Sequence, residues 1–132
     1  MRSGSRTTLK TVRSSRRSAT SLTSPNVRRG EVVSLRASRG ASGHEQKGTR
    51  PAVVVQSDSA WWLRTVVVVP TSTSAQPAEY RPEITVRGRV TRALLDQMTS
   101  VDRERLGRSG GHLAAADLRE VDEALRLLLG LL

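Results

Sequence analysis

Two short, unbroken runs of valine constrain the fold of this chain more than any other feature. Val53–Val55 and Val66–Val69 place β-branched residues at consecutive positions, and both runs are too short for a buried helix. Such runs are typical of central strands that are covered on both faces. Because the chain has no phenylalanine, two tryptophans and one tyrosine, its core has to be built from valine, leucine and alanine. We therefore expect a small, mainly β domain.

The rest of the sequence predicts about five short strands in all, followed by a helix. The strands are expected at Glu31–Leu35, Pro51–Gln56, Val66–Val69, Glu83–Val86 and Val90–Leu95. Thr71–Pro82 is polar, contains two prolines and is predicted to be a loop. Ser100–Leu106 is predicted to form one or two helical turns with Ser100 as N-cap, after which three glycines break the chain. This pattern suits a small barrel-like or curved β fold with an appended helix.

The clearest helix is predicted over Leu113–Leu129. Apolar residues recur there at three- and four-residue spacing and form one stripe of Leu118, Val121, Leu125, Leu128 and Leu132, which we expect to face the core. Ala114 stands where a Ser or Thr cap is usual, and the missing side-chain cap lowers the stability of the helix by about 1 kcal/mol. Gly130 is expected to end the helix.

Most of the net charge of +10 belongs to the beginning of the chain. Residues 1–29 contain eight Lys and Arg and no acid, whereas residues 30–132 contain 14 basic and 12 acidic side chains. Residues 1–27 are rich in Ser, Thr and Arg without hydrophobic periodicity, so we expect a disordered extension before a domain over residues 28–132. We favour a dispensable extension over a transit peptide or a nucleic-acid-binding arm.

Composition also excludes several kinds of site. Without cysteine there is no disulfide framework, thiol nucleophile or Cys-ligated zinc. The two histidines lie 68 residues apart, so we expect no His-based metal cage, no metal and no cofactor. No apolar run approaches the roughly 20 residues that span a bilayer.

A motif that leads into the first valine run is the most specific functional signal. Residues 43–55 read Gly-His-Glu-Gln-Lys-Gly-Thr-Arg-Pro-Ala-Val-Val-Val. Four further sequence blocks belong with this motif: Arg29–Val32, Val68–Thr73, Asp96–Gln97 with Val101–Leu106, and Val121–Leu125. Together the five blocks resemble the MazF/PemK/Kid family of toxin endoribonucleases over about residues 28–131.

The resemblance implies an SH3-like barrel of the MazF/Kid/CcdB type, present as a cytoplasmic homodimer. It also implies metal-independent, sequence-specific cleavage of single-stranded RNA, in which a ribose 2′-OH attacks the phosphorus and leaves a 2′,3′-cyclic phosphate and a 5′-OH. The implied partner is the antitoxin of a type II toxin–antitoxin pair, with an acidic, partly disordered segment that occupies the RNA groove.

The motif match assigns the binding of the scissile phosphate to two residues. Arg50 is the first choice, because a guanidinium offers paired donors to phosphate oxygens and stays charged. Ser72 stands where the family often has Thr, and it keeps the hydroxyl. Thr71 and Thr73 are alternatives for this hydroxyl, because a one-residue shift at the strand exit would exchange them. An ordinary polar loop is the structural alternative.

Two more catalytic candidates, His44 and Asp96, match residues that Kid-like members use. His44 would act near the phosphate, with a surface histidine as the alternative. Asp96 would be the general base, but Leu94 stands where Kid has an arginine. A structural carboxylate that caps a turn is therefore an equal alternative for Asp96.

A further set of residues is predicted to contact RNA or to order the loop around it. The resemblance points to Glu45, Gln46, Lys47, Thr71, Thr73 and Gln97. Other basic residues are candidates for phosphate contacts or for solvated surface charges: Arg64, Arg87, Arg89 and Arg92. For the adjacent Trp61 and Trp62, we expect one ring in a core or dimer interface and the other partly exposed.

Two other functions fit the same barrel. A CcdB-like protein would poison DNA gyrase without cutting RNA, and a degenerate toxin would only bind its antitoxin. The Glu-Gln…Arg-Pro loop and the hydroxyl after Pro70 favour the ribonuclease. Ser72 and Leu94 differ from the residues of the family pattern, and these differences are the reason to consider a degenerate toxin.

Overall fold

The computed structural model describes residues 27–36 and 49–131. Within these ranges the chain forms seven strands, three single-turn 3-10 helices and one α-helix. The strands are β1 (Glu31–Arg36), β2 (Thr49–Val54), β3 (Thr65–Ser72), β4 (Glu83–Val86), β5 (Arg89–Ala93), β6 (Thr99–Asp102) and β7 (Leu106–His112). The 3-10 helices are Asp58–Ala60, Leu95–Gln97 and Arg103–Arg105, and the α-helix, α1, is Ala115–Leu129. The predicted mainly β architecture with a terminal helix is confirmed.

Two segments of the sequence prediction lie outside the described residues. One is the predicted extension over residues 1–27, of which only Val27 is described; it packs beside one of the apolar clusters. The other is the motif loop, so the candidates His44, Glu45, Gln46 and Lys47 have no described position.

Strand β3 lies at the centre of the sheet. The strand order is β4-β5-β3-β2-β1-β7, with β6 as an additional partner of β3, and every pairing is antiparallel. Strand β6 pairs with Thr65–Val68 of β3 and β2 pairs with Val68–Pro70, so Val68 has a partner strand on each side. Thr71 and Ser72, at the other end of β3, pair with β5. One long strand thus connects the two parts of the sheet.

Both faces of the central strands are buried, and this explains the valine runs. Val53 and Val69 belong to one apolar cluster, whereas Val54 and Val68 belong to a second cluster on the opposite face. All four side chains are at most 1% exposed. Helix α1 closes the first cluster through the fully buried Val121. Consecutive valines therefore point alternately into the two clusters. Burial of each such side chain contributes about 1.5–3 kcal/mol to stability.

The segment between β5 and the helix differs from the sequence prediction. Of the helical turns predicted over Ser100–Leu106, only the 3-10 turn Arg103–Arg105 forms, because Thr99–Asp102 is a strand that pairs with β3. Asp102, rather than Ser100, caps the short 3-10 helix by accepting from the Glu104 amide. The glycine-rich segment that follows is strand β7, which pairs with β1 in an irregular register. Each strand is stabilised by a partner that is distant in sequence, and local propensity does not encode such pairing.

Helix α1 follows the prediction closely at both ends. Ala114 is the N-cap and forms no side-chain cap hydrogen bond, as expected for this residue. Gly130 ends the helix in the left-handed conformation, with φ of 70°. Three leucines of the predicted stripe, Leu118, Leu125 and Leu128, pack against the first cluster, and Leu132 lies outside the described residues. Neither α1 nor any shorter helix in the described part of the chain is long and apolar enough to cross a membrane.

Candidate active site

Arg50 and Ser72 lie on neighbouring strands at one end of the sheet. Ala52 of β2 pairs with Pro70 of β3, and Arg50 and Ser72 each lie two residues beyond this pair, at the same end of the two strands. Thr71 and Ser72 were expected in a loop, but both extend β3 because they pair with β5. The two residues that the motif singles out therefore share one site.

This site is a cleft of about 560 Å³ between the beginning of β2, the end of β3 and the β4–β5 hairpin. Its lining, which we call the cleft residues, consists of Arg50, Pro51, Thr71, Ser72, Thr73, Ser74, Val86, Arg87, Arg89 and Thr91. Three of these residues are arginines, five carry hydroxyl groups, and none of these described residues is acidic. The charge and the donors of the cleft suit a phosphate-containing polyanion.

The hydroxyl groups at the end of β3 differ in what they are free to do. Thr71 is 6% exposed, and its hydroxyl donates to the Pro51 carbonyl at 3.1 Å. Ser72 is half-buried, and its Oγ accepts the Ser74 amide at 3.2 Å and lies 3.3 Å from Ser74 Oγ. Because the Thr71 hydrogen is already used inside the protein, the geometry favours Ser72 for a hydrogen bond to a ligand in the cleft.

Asp96 lies outside the cleft lining, in an ion pair. Both of its carboxylate oxygens accept from Arg81, at 3.0 Å from Nε and 2.8 Å from Nη2. These hydrogen bonds lower the pKa of Asp96 from its ordinary value and raise that of Arg81. A carboxylate that is paired in this way is a weaker base. Of the two alternatives for Asp96, the geometry within this chain favours the structural carboxylate.

Arg81 is the residue of this region that sequence reasoning missed. The sequence places Leu94 where an arginine partner of Asp96 was expected, and Leu94 is buried at 3% exposure. Arg81 supplies that guanidinium from a position 15 residues away, on the chain that leads into β4. Arg81 belongs to none of the five sequence blocks. The one sequence signal for such a residue was Leu94 itself. Because Leu94 replaces the arginine that Kid has two residues before its aspartate, another basic residue of the fold can pair with Asp96.

For the RNA cleavage that the five sequence blocks imply, replacing Asp96 with asparagine is expected to reduce the rate less than tenfold, because the carboxylate does not line the cleft. The effect on stability should depend on pH. Because the pKa of Asp96 is lowered in the folded state, the pair stabilises above the ordinary pKa near 4 and loses this contribution as the pH falls through the lowered value. The pair is exposed and screened, so the effect is small.

Urea midpoints of the wild type and of Asp96→Asn, measured at pH 7 and near pH 3, test this expectation. The wild type should have the higher midpoint at pH 7, and the difference should be smaller at the lower pH. A hundredfold or larger loss of cleavage, together with loss of the pH dependence of the rate, would instead identify Asp96 as the general base.

The other basic candidates divide into two groups. Arg87 and Arg89 line the cleft. Arg92 lies 3.5 Å from Glu83 and donates to the Arg81 carbonyl, so its guanidinium has structural partners. The side chain of Arg64 is 84% exposed, as expected for a solvated surface charge. The sequence could not separate these groups, because all four residues are single arginines in polar surroundings.

Several remaining candidates lie away from the cleft. Gln97 is exposed on the 3-10 helix that carries Asp96 and does not line the cleft, whereas Thr73 does. Trp61 and Trp62 are 58% and 67% exposed, so neither ring enters the core of this chain. The expectation that one ring lies in a core is therefore wrong, and the alternative of a dimer interface stays a prediction. Within residues 27–36 and 49–131, no three His, Cys, Asp or Glu side chains are grouped in a way that could hold a metal ion.

Sequence comparison relates the chain to one family over most of its length. The family model described as PemK-like, MazF-like toxin of type II toxin–antitoxin system matches residues 28–129. A curated relative, Endoribonuclease MazF9 of Mycobacterium tuberculosis, is 36% identical over 118 residues, which cover 80% of this chain and 98% of that protein.

Structural comparison finds the same fold in solved proteins. An endoribonuclease in complex with its cognate antitoxin, from a mycobacterial species, superimposes with a TM-score of 0.67 at 19% identity, covering 80% of this chain and 97% of that chain. MazF from Deinococcus radiodurans superimposes with a TM-score of 0.63 at 27% identity, covering 80% of this chain and 97% of that chain. The fold implied by the five sequence blocks is therefore confirmed.

Proposed function

Since the chain belongs to the family of PemK-like, MazF-like toxins of type II toxin–antitoxin systems, we propose that it is an endoribonuclease that cuts single-stranded RNA. The observation that carries the proposal is that Arg50 and Ser72 line one cleft that contains three arginines and, among its described lining residues, no acid. RNA is the polyanion that matches this charge, and its ribose 2′-OH provides an internal nucleophile.

The proposed reaction needs no group beyond the RNA and protein side chains. The 2′-oxygen forms a bond to phosphorus while the bond from phosphorus to the 5′-oxygen breaks, which yields a 2′,3′-cyclic phosphate and a 5′-OH. Negative charge grows on the non-bridging oxygens as the 2′-oxygen attacks. The guanidinium of Arg50 donates two hydrogen bonds to these oxygens, and the Ser72 hydroxyl donates a third.

Two proton transfers complete the reaction, and their agents stay predictions. The 2′-OH loses a proton and the leaving 5′-oxygen gains one. His44 is a candidate for either transfer and lies outside the described residues. Asp96 is the other candidate and would have to leave its pair with Arg81 to reach the RNA. RNA contacts by Glu45, Gln46, Lys47, Thr73 and Gln97 are part of the same proposal.

The partner proposed for this chain is an antitoxin with an acidic, partly disordered segment. One solved relative of the same fold is described as an endoribonuclease in complex with its cognate antitoxin. Carboxylates of such a segment would pair with the three arginines of the cleft and exclude RNA. We further propose a homodimer that acts in the cytoplasm, where it would meet both RNA and the antitoxin.

The purified protein is expected to cut a long, mixed-sequence single-stranded RNA in excess EDTA, because Arg50 provides the positive charge at the phosphate. The fragments should carry 5′-OH ends, which polynucleotide kinase labels without prior phosphatase treatment, and 2′,3′-cyclic phosphates. Mapping these ends on a transcript pool would give the sequence preference. RNA that stays intact, or cleavage that EDTA abolishes, would contradict the proposal.

The same preparation tests the two other functions. Inhibition of DNA gyrase with intact RNA would support a CcdB-like toxin. Intact RNA together with tight binding of the antitoxin would support a degenerate toxin, which the pairing of Asp96 outside the cleft makes the more relevant alternative.

A further inference from the structure

The tip of the β4–β5 hairpin has a backbone conformation that its residue type disfavours. Val86 pairs with Arg89, so the turn consists of Arg87 and Gly88 alone. Their φ angles are 54° and 77°, as in the two-residue turns that match the twist of a hairpin. Gly, Asn and Asp are the usual residues there, and Arg87 is the one non-glycine residue with positive φ in the described part of the chain. Such strain persists where the surroundings or the function require it.

The side chain of Arg87 is directed by a glycine on another strand. A Cβ atom at Gly110 of β7 would overlap the guanidinium of Arg87, so this guanidinium lies against the β7 backbone. Gly110 itself does not have positive φ, so its backbone conformation does not require glycine. A side chain at position 110 would therefore displace the Arg87 guanidinium from its place against β7.

Arg87 also differs from arginines that stabilise the fold. Arg29 pairs with Asp122 at 2.7 Å, and Arg103 donates to two backbone carbonyls of the 57–64 loop. Within the described ranges no carboxylate pairs with Arg87, which lines the same cleft as Arg50. A strained arginine that packs against β7 and lines the cleft proposed to bind RNA is suited to hold an anion there.

We propose that Arg87 binds a second phosphate of the RNA, next to the one held by Arg50, and so positions the strand in the cleft. This inference rests on the proposed ribonuclease function and assigns part of its substrate binding to the hairpin tip. Arg87 acts through the backbone of a flanking nucleotide, so it contributes to affinity for RNA of any sequence.

The test compares RNA binding by the wild type and by Arg87→Asn. Asparagine tolerates positive φ, so the turn is kept or relaxed, and the melting temperature should stay equal or rise by about 2–4 °C. The probe is a mixed-sequence 2′-O-methyl RNA, which lacks the nucleophile and is not cut. Its affinity should fall about tenfold, and the slope of log K against log salt should decrease by about 0.7, the value for one lost contact to a single strand. Arg119→Gln removes the same charge from an exposed position of α1 and should change neither quantity.

Gly110→Ala gives an independent variant that keeps the charge. It should displace the guanidinium of Arg87 and lower the affinity about threefold, and it should have no further effect in the Arg87→Asn background. The inference is overturned if Arg87→Asn binds RNA with the affinity and the salt slope of Arg119→Gln while the wild type cuts RNA. If the wild type neither binds nor cuts RNA, the proposed function fails as well, and this outcome is recognised without any variant.

Discussion

Replacing Arg50 with alanine is expected to lower the rate of RNA cleavage about 10³-fold and to leave the fold intact. In the proposed reaction, two donors of this guanidinium meet the charge that develops on the phosphoryl oxygens. Loss of one donor at such a position typically costs 10²–10³-fold, and loss of a whole arginine costs about 10³–10⁵-fold. Arg50 is partly exposed near the beginning of β2 and contributes no side chain to either apolar cluster, so stability should change little.

The measurement is the single-turnover rate with saturating enzyme in EDTA, which separates chemistry from binding. Arg50→Lys is the matched variant: it keeps the charge but loses the planar pair of donors, so it should retain about 1–10% of the rate. Arg119→Gln, prepared in the same way, controls for loss of a surface charge and for contaminating nucleases. A rate for Arg50→Ala within threefold of the wild type would remove the central residue of the proposed mechanism.

Replacing Gly30 with alanine is expected to lower the free energy of unfolding by about 3 kcal/mol. Gly30 has φ of 91°, where a side chain costs about 1–2 kcal/mol. A Cβ atom would also lie 2.6 Å from Cε1 of the His112 ring and 3.1 Å from Leu118, and overpacking of this kind costs about 1–3 kcal/mol. The backbone cannot move aside easily, because the Gly30 amide donates to Val54 and its carbonyl accepts from Leu113.

The imidazole of His112 cannot easily move away from a Cβ atom at position 30 either, since its Nε2 lies 2.8 Å from the Arg29 carbonyl oxygen. Urea unfolding of Gly30→Ala and of Gly88→Ala separates the two contributions. Gly88 has φ of 77°, and a Cβ atom there would meet nothing within 4 Å, so its replacement carries only the conformational cost of about 1 kcal/mol. Equal losses in the two variants would mean that the contact with His112 has no energetic consequence.

The elements predicted well are those that local patterns encode. The bounds of β4 match the prediction, and β1 differs by one residue, because both are short segments with a clear apolar pattern. Helix α1 follows from the spacing of its leucines and from Gly130. Strand β7 was missed because Gly107 and its neighbours have low strand propensity, and the segment is extended only because it pairs with β1. The chain has seven described strands rather than about five.

The residues of the candidate site also fall into those that the sequence predicts and those that only the structure shows. The family resemblance selected Arg50 and Ser72 as candidates, and the structure places both in the lining of one cleft. Their roles stay predictions. Arg81 could not be predicted, since its contact with Asp96 joins the segment before β4 to the 3-10 helix that carries Asp96. The position of Arg87 depends on a turn conformation and on Gly110, and neither is visible in a string of polar residues.

The amino-acid sequence by itself determined which strands have two buried faces and which side chains are candidates for binding phosphate, because both depend on residue type and local spacing. Only the tertiary structure decided which of these side chains meet. The pairing of β2 with β3 brings Arg50 and Ser72 to the same end of the sheet, where both line the cleft. Pairing with β5 turns Thr71 and Ser72 into strand, although the sequence predicts a loop there. Register and pairing are properties of contacts between distant segments, so they are settled when both cores close around the sheet.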